Sequence, residues 1–270
     1  MGDLLYGIHP LYEALVAGRR RFERLYVSKH RKSKGVQGLL ELAKQKCIPI
    51  EYKEAKYFKA YLGDLVHQGV AAEVGDLALA DKEEILNRAI QENETPLILA
   101  LDGVVDPQNL GSITRTGRAM GVHGIVLPKV RVAPLSAATS KASSGAMEHM
   151  LFARVSNLVA ALQQFKKAGL WVIGAEAGTN IPVNQADFGV GLVIVIGGEG
   201  KGIRPLVRKT CDYLVSIPQH EGVDSLNAAV AGAIVMYEIV RQRRKGINAT
   251  NGSNEQGRLY TEKGRVENGR

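Results

Sequence analysis

Apolar, strand-like runs alternate with helical patterns over the second part of this chain, and that alternation constrains its fold more than any other feature. The runs begin after Pro96, and helical patterns fall between most of them. They are Leu97–Leu101, Gly124–Leu127, Leu151–Val155, Trp171–Ala175, Leu192–Ile196 and Tyr213–Ile217. Strands that alternate with helices form a parallel sheet covered by helices. The sequence therefore predicts an α/β domain with a mostly parallel sheet over residues 96–244.

A smaller α/β unit is predicted over residues 1–76. Helical patterns cover Pro10–Ala17 and Val36–Gln45. Short strand patterns lie around them, at Leu25–Ser28, Ile48–Tyr52 and Val70–Val74. Residues 77–95 are charged and mostly helix-forming, which indicates a linker between the two units. Residues 245–270 contain few large apolar side chains and many Gly and Asn, a composition typical of disorder.

The net charge of +8 is concentrated at the two ends of the chain. Residues 1–76 carry 13 Lys/Arg against 9 Asp/Glu, whereas residues 77–240 carry 14 against 15. The densest basic cluster is opposed within its own stretch only by Glu23, and it comprises Arg19, Arg20, Arg21, Arg24, Lys29, Arg31, Lys32 and Lys34. Such a cluster suits the phosphates of a nucleic acid, although a charge run is often an ordinary solvated surface. We expect RNA contacts from Arg19, Arg20, Arg21, Arg24, Arg31 and Lys32.

Cysteine and histidine usage argues against a disulfide framework and against a metal centre. Only Cys47 and Cys211 are present, and the six His residues show no metal-ligand spacing. The longest apolar run, Val190–Ile196, is far short of a membrane span, and the first residues lack the pattern of a signal peptide. We therefore expect a cytoplasmic protein with no metal and no membrane partner.

The glycine-rich stretch Ile196–Ile203 (IGGEGKGI) does not fit the common nucleotide motifs. In the dinucleotide pattern G-x-G-x-x-G, counted from Gly198, the third glycine would fall on Ile203. In the Walker A pattern, Lys201 would be followed by Ser or Thr, but Gly202 stands there. Neither an NTPase nor a Rossmann dinucleotide enzyme is indicated.

Three stretches follow predicted strands, at the edge where open α/β sheets bind ligands. They are Leu101–Val122, Ile196–Ile203 and Ser216–Ile234. Together they resemble the three motifs of the SpoU/TrmH family of RNA 2′-O-ribose methyltransferases, in the SPOUT superfamily. Residues 4–76 resemble the substrate-binding domain of that family's ribosomal RNA branch. The resemblance covers about residues 4–244 and is closest to the RlmB type, which methylates a guanosine of large-subunit (23S) rRNA.

The resemblance implies a fold, a cofactor and partners. The sheet of the second domain would end in a trefoil knot, against the general rule that chains do not knot. The first domain would be an L30e-like RNA-binding domain. S-adenosylmethionine would be the cofactor and ribosomal RNA the substrate. The working unit would be a homodimer that meets through the small-residue helix Leu226–Arg243.

Residue roles follow from the motifs that match. The resemblance implies that Asn109, Arg115, Glu199, Ser225 and Asn227 form the catalytic site. The family's proposal makes Arg115 a general base, but a guanidinium scarcely loses its proton. Gripping a substrate phosphate and stabilising the emerging alkoxide is a role that fits Arg115 better. In simpler interpretations, Asn109 and Ser225 only cap helices, and Arg115 is a surface cation.

The remaining assignments concern the cofactor and RNA. Residues that would hold the cofactor are Gly197, Gly198, Gly200, Ile217 and Leu226, of which the glycines would let the backbone approach it closely. Lys141 is expected to contact RNA. Asp224 departs from the small polar residue that the family pattern has at that position, which leaves its role open.

Two alternatives stay open. One is an enzyme of the same fold that acts on tRNA or on a different rRNA nucleotide. The N-terminal domain argues against tRNA, because tRNA members of the family typically lack it. The other is a non-catalytic rRNA-binding assembly protein, against which the five intact catalytic-motif residues argue.

Overall fold

The structure is a computed structural model that describes residues 3–30, 33–222 and 225–263. It contains a four-stranded sheet within residues 3–74 and a six-stranded sheet within residues 97–215. Helices pack against both sheets. The prediction of an α/β chain with a mostly parallel second sheet is confirmed.

The first sheet is mixed. Its strands are β1 (Asp3–Tyr6), β2 (Phe22–Ser28), β3 (Ile50–Lys53) and β4 (Val70–Val74), in the order β1-β4-β2-β3. Only β2 and β3 run parallel. The helices are α1 (Ile8–Ala17), α2 (Lys34–Gln45) and α3 (Ala55–Leu62). The sequence analysis missed β1 and α3, which are four and eight residues long and give only a weak period.

The second sheet contains all six predicted strands, and every neighbouring pair is parallel. They are β5 (Leu97–Asp102), β6 (Gly124–Pro128), β7 (Leu151–Val155), β8 (Trp171–Ala175), β9 (Leu192–Gly197) and β10 (Tyr213–Val215). The order β10-β8-β9-β5-β6-β7 places the first strand, β5, in the middle. The chain adds β6 and β7 on one side of β5 and then crosses over to add β8, β9 and β10 on the other side. Where the order reverses in this way, a crevice opens at the carboxyl ends of the strands.

Helices cover both faces of this sheet. They are α4 (Lys82–Gln91), α5 (Pro107–Ala119), α6 (Ala137–Ala142), α7 (Leu158–Lys167), α8 (Pro205–Thr210) and α9 (Ala228–Lys263). A short 3-10 helix, Ala146–His149, follows α6. Leu99 and Ile194 face one apolar cluster while their neighbours Ile98 and Val193 face the other. Burial on both faces explains why β5 and β9 are almost uninterrupted apolar runs.

The last helix is held firmly along its first half. It packs on α5, and Val235, Met236 and Ile239 are buried. The guanidinium of Arg243 donates to four backbone carbonyls, those of Thr95, Pro96, Phe188 and Val190, at 2.8–3.1 Å. Burial lowers the pKa of Arg243 to about 10. Arg243 thus ties α9 to the segments that lead into β5 and β9.

The far end of α9 differs from the expected disordered tail. The sequence predicts a helix that ends at Arg243, whereas α9 runs to Lys263. Extending an existing helix needs no new nucleus, because each added residue gains one hydrogen bond. That is the physical reason why a polar segment can continue a packed helix. Residues 264–270 of the predicted tail lie outside the described residues.

A buried ion pair joins the two units. Arg20 Nε donates to Glu148 Oε2 at 2.8 Å, and their side chains are 1% and 0% exposed. Ser140 Oγ donates to the other carboxylate oxygen of Glu148, and Arg20 Nη1 donates to the Gly75 carbonyl. The neighbouring Arg19 donates to the Met150 and Ala78 carbonyls at 2.6 Å. The two units therefore meet in a polar, dehydrated contact.

Removing one partner of this pair should be costly. Glu148→Ala would leave the Arg20 charge buried without its counter-ion, so we expect a loss of about 3–5 kcal/mol in the free energy of unfolding. Urea denaturation would measure it. The matched control is Glu51→Ala, which removes the partner of Arg24 in an ion pair that water reaches. Equal losses in the two variants would contradict the role of burial.

Candidate active site

A cavity of about 410 Å³ lies at the carboxyl ends of β8, β9 and β10. Three stretches of chain line it. Residues 175–177 lie at the end of β8, residues 196–202 lie at the end of β9, and residues between Val215 and Ala231 lead from β10 into α9. Volumes of this order are typical of small-ligand sites, and this edge of an α/β sheet is where such sites form.

All the residues predicted to bind the cofactor line this cavity, namely Gly197, Gly198, Gly200, Ile217 and Leu226. The sequence analysis missed Glu176 and Gln219, which also line it. Glu176 follows a predicted strand at the same edge, so its position was a usable signal. Gln219 Oε1 is buried and has no hydrogen-bond partner among the described residues.

Two glycines of the β9 loop, which were predicted to let the backbone approach the cofactor, lie in close contact with other backbone segments of the protein. A Cβ on Gly197 would lie 2.4 Å from the Gly202 carbonyl carbon, and one on Gly198 would lie 1.8 Å from the Gly103 carbonyl oxygen. The loop therefore packs on its own backbone and on the loop that follows β5. The absence of side chains is required by backbone-to-backbone contact, before any cofactor is considered.

Asn109 links the three motifs. It is buried on α5, and its Nδ2 donates to Glu199 Oε1 in the β9 loop. Its Oδ1 accepts from Asn227 Nδ2, at the start of α9, at 2.9 Å. A buried amide with both ends bonded holds its neighbours in place. Three of the five predicted catalytic residues thus form one hydrogen-bonded chain.

The helix caps differ from the simpler interpretations. Asp106 caps α5 by accepting from the Gln108 N–H at 3.1 Å, so the helix begins before Asn109. Pro107 stands at the first helical position, where its missing N–H costs nothing. At α9, Asn227 Oδ1 accepts from the N–H groups of residues 229 and 230, so Asn227, not Ser225, is the cap. Ser225 is exposed and lines the cavity.

Arg115 stands apart from this chain. It is exposed on α5, and its Nη1 donates to Ser144 Oγ at 3.2 Å. Of the predicted catalytic residues, Glu199, Ser225 and Asn227 line the cavity, whereas Asn109 and Arg115 are not among its lining residues. Glu199 accepts from Asn109 and not from Arg115 in this chain. The guanidinium remains open to a substrate.

The predicted RNA contacts divide into two groups. Arg20 is buried and Arg19 is bonded to backbone carbonyls, so both hold the two units together. The burial of Arg20 argues against an RNA contact there, and the sequence could not reveal it because the partner lies 128 residues away. The RNA contact of Arg19 stays a prediction. Arg21 is exposed beside Glu23, and Arg24 pairs with Glu51. Arg31 and Lys32 lie outside the described residues.

Lys141 lies where the two units meet. Its Nζ donates to Gln68 Oε1 at 3.1 Å, and burial lowers the pKa of its ammonium group. A partly dehydrated cation with one neutral partner attracts an anion more strongly than a solvated lysine does. Its position is compatible with the predicted RNA contact.

Potential metal ligands come together once in the described part of the chain, at Glu92, Glu94 and His123. The buried His123 Nε2 lies 3.3 Å from Glu94 Oε2. His123 Nδ1 lies 3.1 Å from the Leu97 backbone nitrogen and 3.3 Å from the Leu97 carbonyl oxygen, so the backbone of β5 fixes the ring. His123 Nε2 is buried and makes no hydrogen bond among the described residues. No described helix is both long and apolar enough to cross a membrane.

Comparisons with known proteins cover the same regions. The profile of the "SpoU rRNA Methylase family" matches residues 96–237, and that of "RNA 2'-O ribose methyltransferase substrate binding" matches residues 4–80. YacO of Bacillus subtilis (strain 168), named for the TrmH family of tRNA/rRNA methyltransferases, is 39% identical over 241 residues, which cover 89% of this chain and 96% of YacO.

A second relative and a solved structure extend the likeness. The 23S rRNA (guanosine-2'-O-)-methyltransferase RlmB of Pseudomonas putida is 36% identical, over 90% of this chain and 97% of RlmB. The SpoU methyltransferase AviRb from Streptomyces viridochromogenes, solved in complex with the cofactor AdoMet, superposes with a TM-score of 0.76 at 26% identity, over 90% of each chain. The matches span the three motifs, the cavity and the N-terminal unit, and they show that this chain belongs to the SpoU rRNA methylase family.

Proposed function

We propose that this protein transfers a methyl group from S-adenosylmethionine to the ribose 2′-hydroxyl of a guanosine in large-subunit (23S) rRNA, in the cytoplasm. The observation that carries the proposal is the chain Asn227–Asn109–Glu199, which fixes three family motifs around one ligand-sized cavity. The choice of rRNA rests on the N-terminal unit and on the similarity to RlmB of P. putida. The N-terminal unit and this similarity favour rRNA over tRNA as the substrate.

The cavity suits S-adenosylmethionine. Ile217 and Leu226 offer apolar surface for an adenine ring, and Gln219 lines the same cavity with a side-chain amide of the kind that bonds an amino group. Glu176 lies at the same cavity, and a carboxylate there suits a ribose hydroxyl or a cationic group. Residues that would hold the cofactor are therefore Gly197, Gly198, Gly200, Ile217, Gln219 and Leu226.

The chemistry requires mostly positioning. When bound, the cofactor supplies an electrophilic methyl group on a positively charged sulfur. Arg115 can grip a substrate phosphate with two parallel hydrogen bonds and stabilise negative charge on the ribose oxygen. Asn109 and Asn227 keep the start of α5 and the start of α9 at fixed positions beside the cavity. The hydroxyl proton would pass to a phosphate oxygen or to water, since a guanidinium is a poor base.

The fold proposals follow the family. We propose that the segment from β8 to α9 is threaded as a trefoil knot and that residues 1–76 form an L30e-like RNA-binding domain. The close passage of the β9 loop against Gly103 supports tight threading of this segment. The four-stranded sheet with its three helices supports a compact RNA-binding unit.

The homodimer is supported by an apolar stripe on α9. Val230, Ile234 and Tyr237 are 48%, 36% and 59% exposed, and they recur at i, i+4 and i+7 along one face. Water-exposed apolar side chains in such a row mark a contact surface. The stripe begins among the cavity residues, since Val230 lies between Ala228 and Ala231, so a second copy seated on it would lie beside the candidate active site.

Charges placed on this stripe should separate the subunits. We expect Ile234→Asp/Tyr237→Asp to be monomeric at micromolar concentration, where the wild type is a dimer, because two carboxylates would be buried without partners. Light scattering measures the mass. The control is Ile90→Asp, at a more exposed apolar residue on α4, which should leave the mass unchanged. A monomeric wild type would contradict the proposal.

Two measurements test the function itself. Calorimetric titration with S-adenosylmethionine should show binding to the purified protein, and a non-catalytic assembly protein would show none. Mass-spectrometric mapping of ribose methylation in a deletion strain should show the loss of one 2′-O-methylguanosine in 23S rRNA. Loss of a tRNA methyl group, or of one on a different rRNA nucleotide, would favour the alternative enzyme.

A further inference from the structure

The partner of Arg115 has an unusual backbone. Ser144, which accepts the hydrogen bond from Arg115 Nη1, has a φ of 52°, in the left-handed region. Non-glycine residues enter that region at a cost and stay there when their surroundings require it. Ser144 belongs to the turn between α6 and the 3-10 helix Ala146–His149, and both of these pack on α5. The hydroxyl that meets Arg115 thus sits on a constrained turn.

The N-terminal unit is what packs behind this turn. Gly145 has a φ of 86°, and a Cβ on it would lie 2.7 Å from Glu13 Cβ and 3.1 Å from the His9 carbonyl oxygen of α1. There is no room for the turn to move toward α1. The side chain of Glu13 also reaches the catalytic domain directly, since its Oε2 lies 2.7 Å from His149 Nε2 and 3.8 Å from Arg118 Nη1.

The segment from Ser140 to Glu148 is held at both ends by the ion pair of Glu148 with Arg20 of the N-terminal unit. The buried pair of Arg20 with Glu148 holds the 3-10 helix, and Ser140 Oγ donates to the same carboxylate from α6. Ser144 lies between these two anchors. The position of its hydroxyl therefore depends on α1 and Arg20, which belong to residues 1–76.

We propose that Ser144 is a positioning residue for Arg115 and that the N-terminal unit, by fixing the turn that carries Ser144, is a structural part of the catalytic site. This rests on the proposed function, in which Arg115 acts on the substrate. The unit then has two effects: it binds RNA, and it sets the direction of the guanidinium fork. Loss of the second effect lowers kcat, the rate at saturating RNA. A loss of RNA affinity alone raises KM and leaves kcat unchanged.

The first test compares two serines of one segment. We expect Ser144→Ala and Ser144→Gly to lower kcat about 2- to 10-fold, the worth of one partly exposed hydrogen bond, with KM for RNA and affinity for S-adenosylmethionine unchanged. Glycine accepts the left-handed turn, so agreement between the two variants assigns the effect to the hydroxyl. Ser136→Ala, at the start of α6 where the side chain makes no cap bond, should retain wild-type kcat.

The second test reaches across the contact between the units. Glu13→Ala removes the Glu13 Cγ, which packs at Gly145, and the carboxylate that meets His149 and Arg118, and we expect kcat to fall while KM for RNA stays within about twofold. In the background of Arg115→Lys, neither Ser144→Ala nor Glu13→Ala should lower kcat further, because the side chain that they position has changed.

The outcomes separate this inference from the function on which it rests. Wild-type kcat in both Ser144 variants would overturn it, as would a Glu13→Ala variant that changes only KM. If the wild type methylates no RNA, the proposed function fails instead. Near-ultraviolet circular dichroism and thermal unfolding of each variant confirm that its fold is retained.

Discussion

Replacing Arg115 by alanine is expected to lower the rate of methyl transfer about 100- to 1000-fold while leaving affinity for S-adenosylmethionine unchanged. The magnitude is that of removing one group that stabilises charge in a transition state. The cofactor should still bind, because Arg115 is not among the residues that line the cavity. Single-turnover methylation of an rRNA fragment and calorimetric titration measure the two quantities separately.

Lysine at the same position makes the prediction sharper. Arg115→Lys keeps the charge but loses the planar fork that grips a phosphate with two parallel bonds, so we expect it to be nearly as inactive as the alanine variant. Arg154→Lys, on the exposed side of edge strand β7, is the matched control and should retain full activity. An active Arg115→Lys enzyme would show that only a positive charge is needed, and the forked-phosphate role would have to be abandoned.

The second large effect is expected at the β9 loop. Gly198→Ala places a Cβ 1.8 Å from the Gly103 carbonyl oxygen, a distance at which the backbone must move. Both loops border the end of β5, so the shift should disrupt the cavity. We expect affinity for S-adenosylmethionine to fall at least 100-fold, and the free energy of unfolding to fall by more than the about 1–3 kcal/mol typical of an overpacked core.

A neighbouring glycine provides the control. Gly200 lies in the same loop with a φ of 81°, and a Cβ on it would meet nothing within 4 Å. Gly200→Ala should therefore cost only the strain of a left-handed alanine, about 1–2 kcal/mol. If Gly198→Ala and Gly200→Ala bind the cofactor equally well, the backbone contact at Gly103 does not shape the site.

The two predictions concern different halves of the reaction. Arg115 variants should bind the cofactor without transferring the methyl group, whereas Gly198→Ala should lose both properties. A rescue of methyl transfer by high cofactor concentration is expected only for Gly198→Ala. This difference follows from their positions, since Gly198 lines the cavity and Arg115 lies on the exposed side of α5.

The sequence by itself predicted the strands of the second sheet and their parallel arrangement. The spacing of apolar side chains along a strand is a local property that can be read from the sequence. The apolar runs that begin at Leu97 and end with the one at Tyr213 are all strands in the structure. The resemblance to the three SpoU/TrmH motifs, which stand at the ends of predicted strands, also placed the five predicted cofactor residues at one edge, where the carboxyl ends of parallel strands lie together. Gln219, which lines the same cavity, was missed because no motif position marked it.

Only the tertiary structure decided which polar groups meet. Arg20 belongs to a basic run that resembles an RNA-binding stripe, yet a carboxylate from residue 148 neutralises it in a dehydrated contact. Asn109 sits in the first turn of α5 and bonds to residues 90 and 118 positions away. Ser144 showed no motif at all. A hydrogen bond or an ion pair depends on ångström distances between segments remote in sequence, and neither charge pattern nor periodicity carries that information.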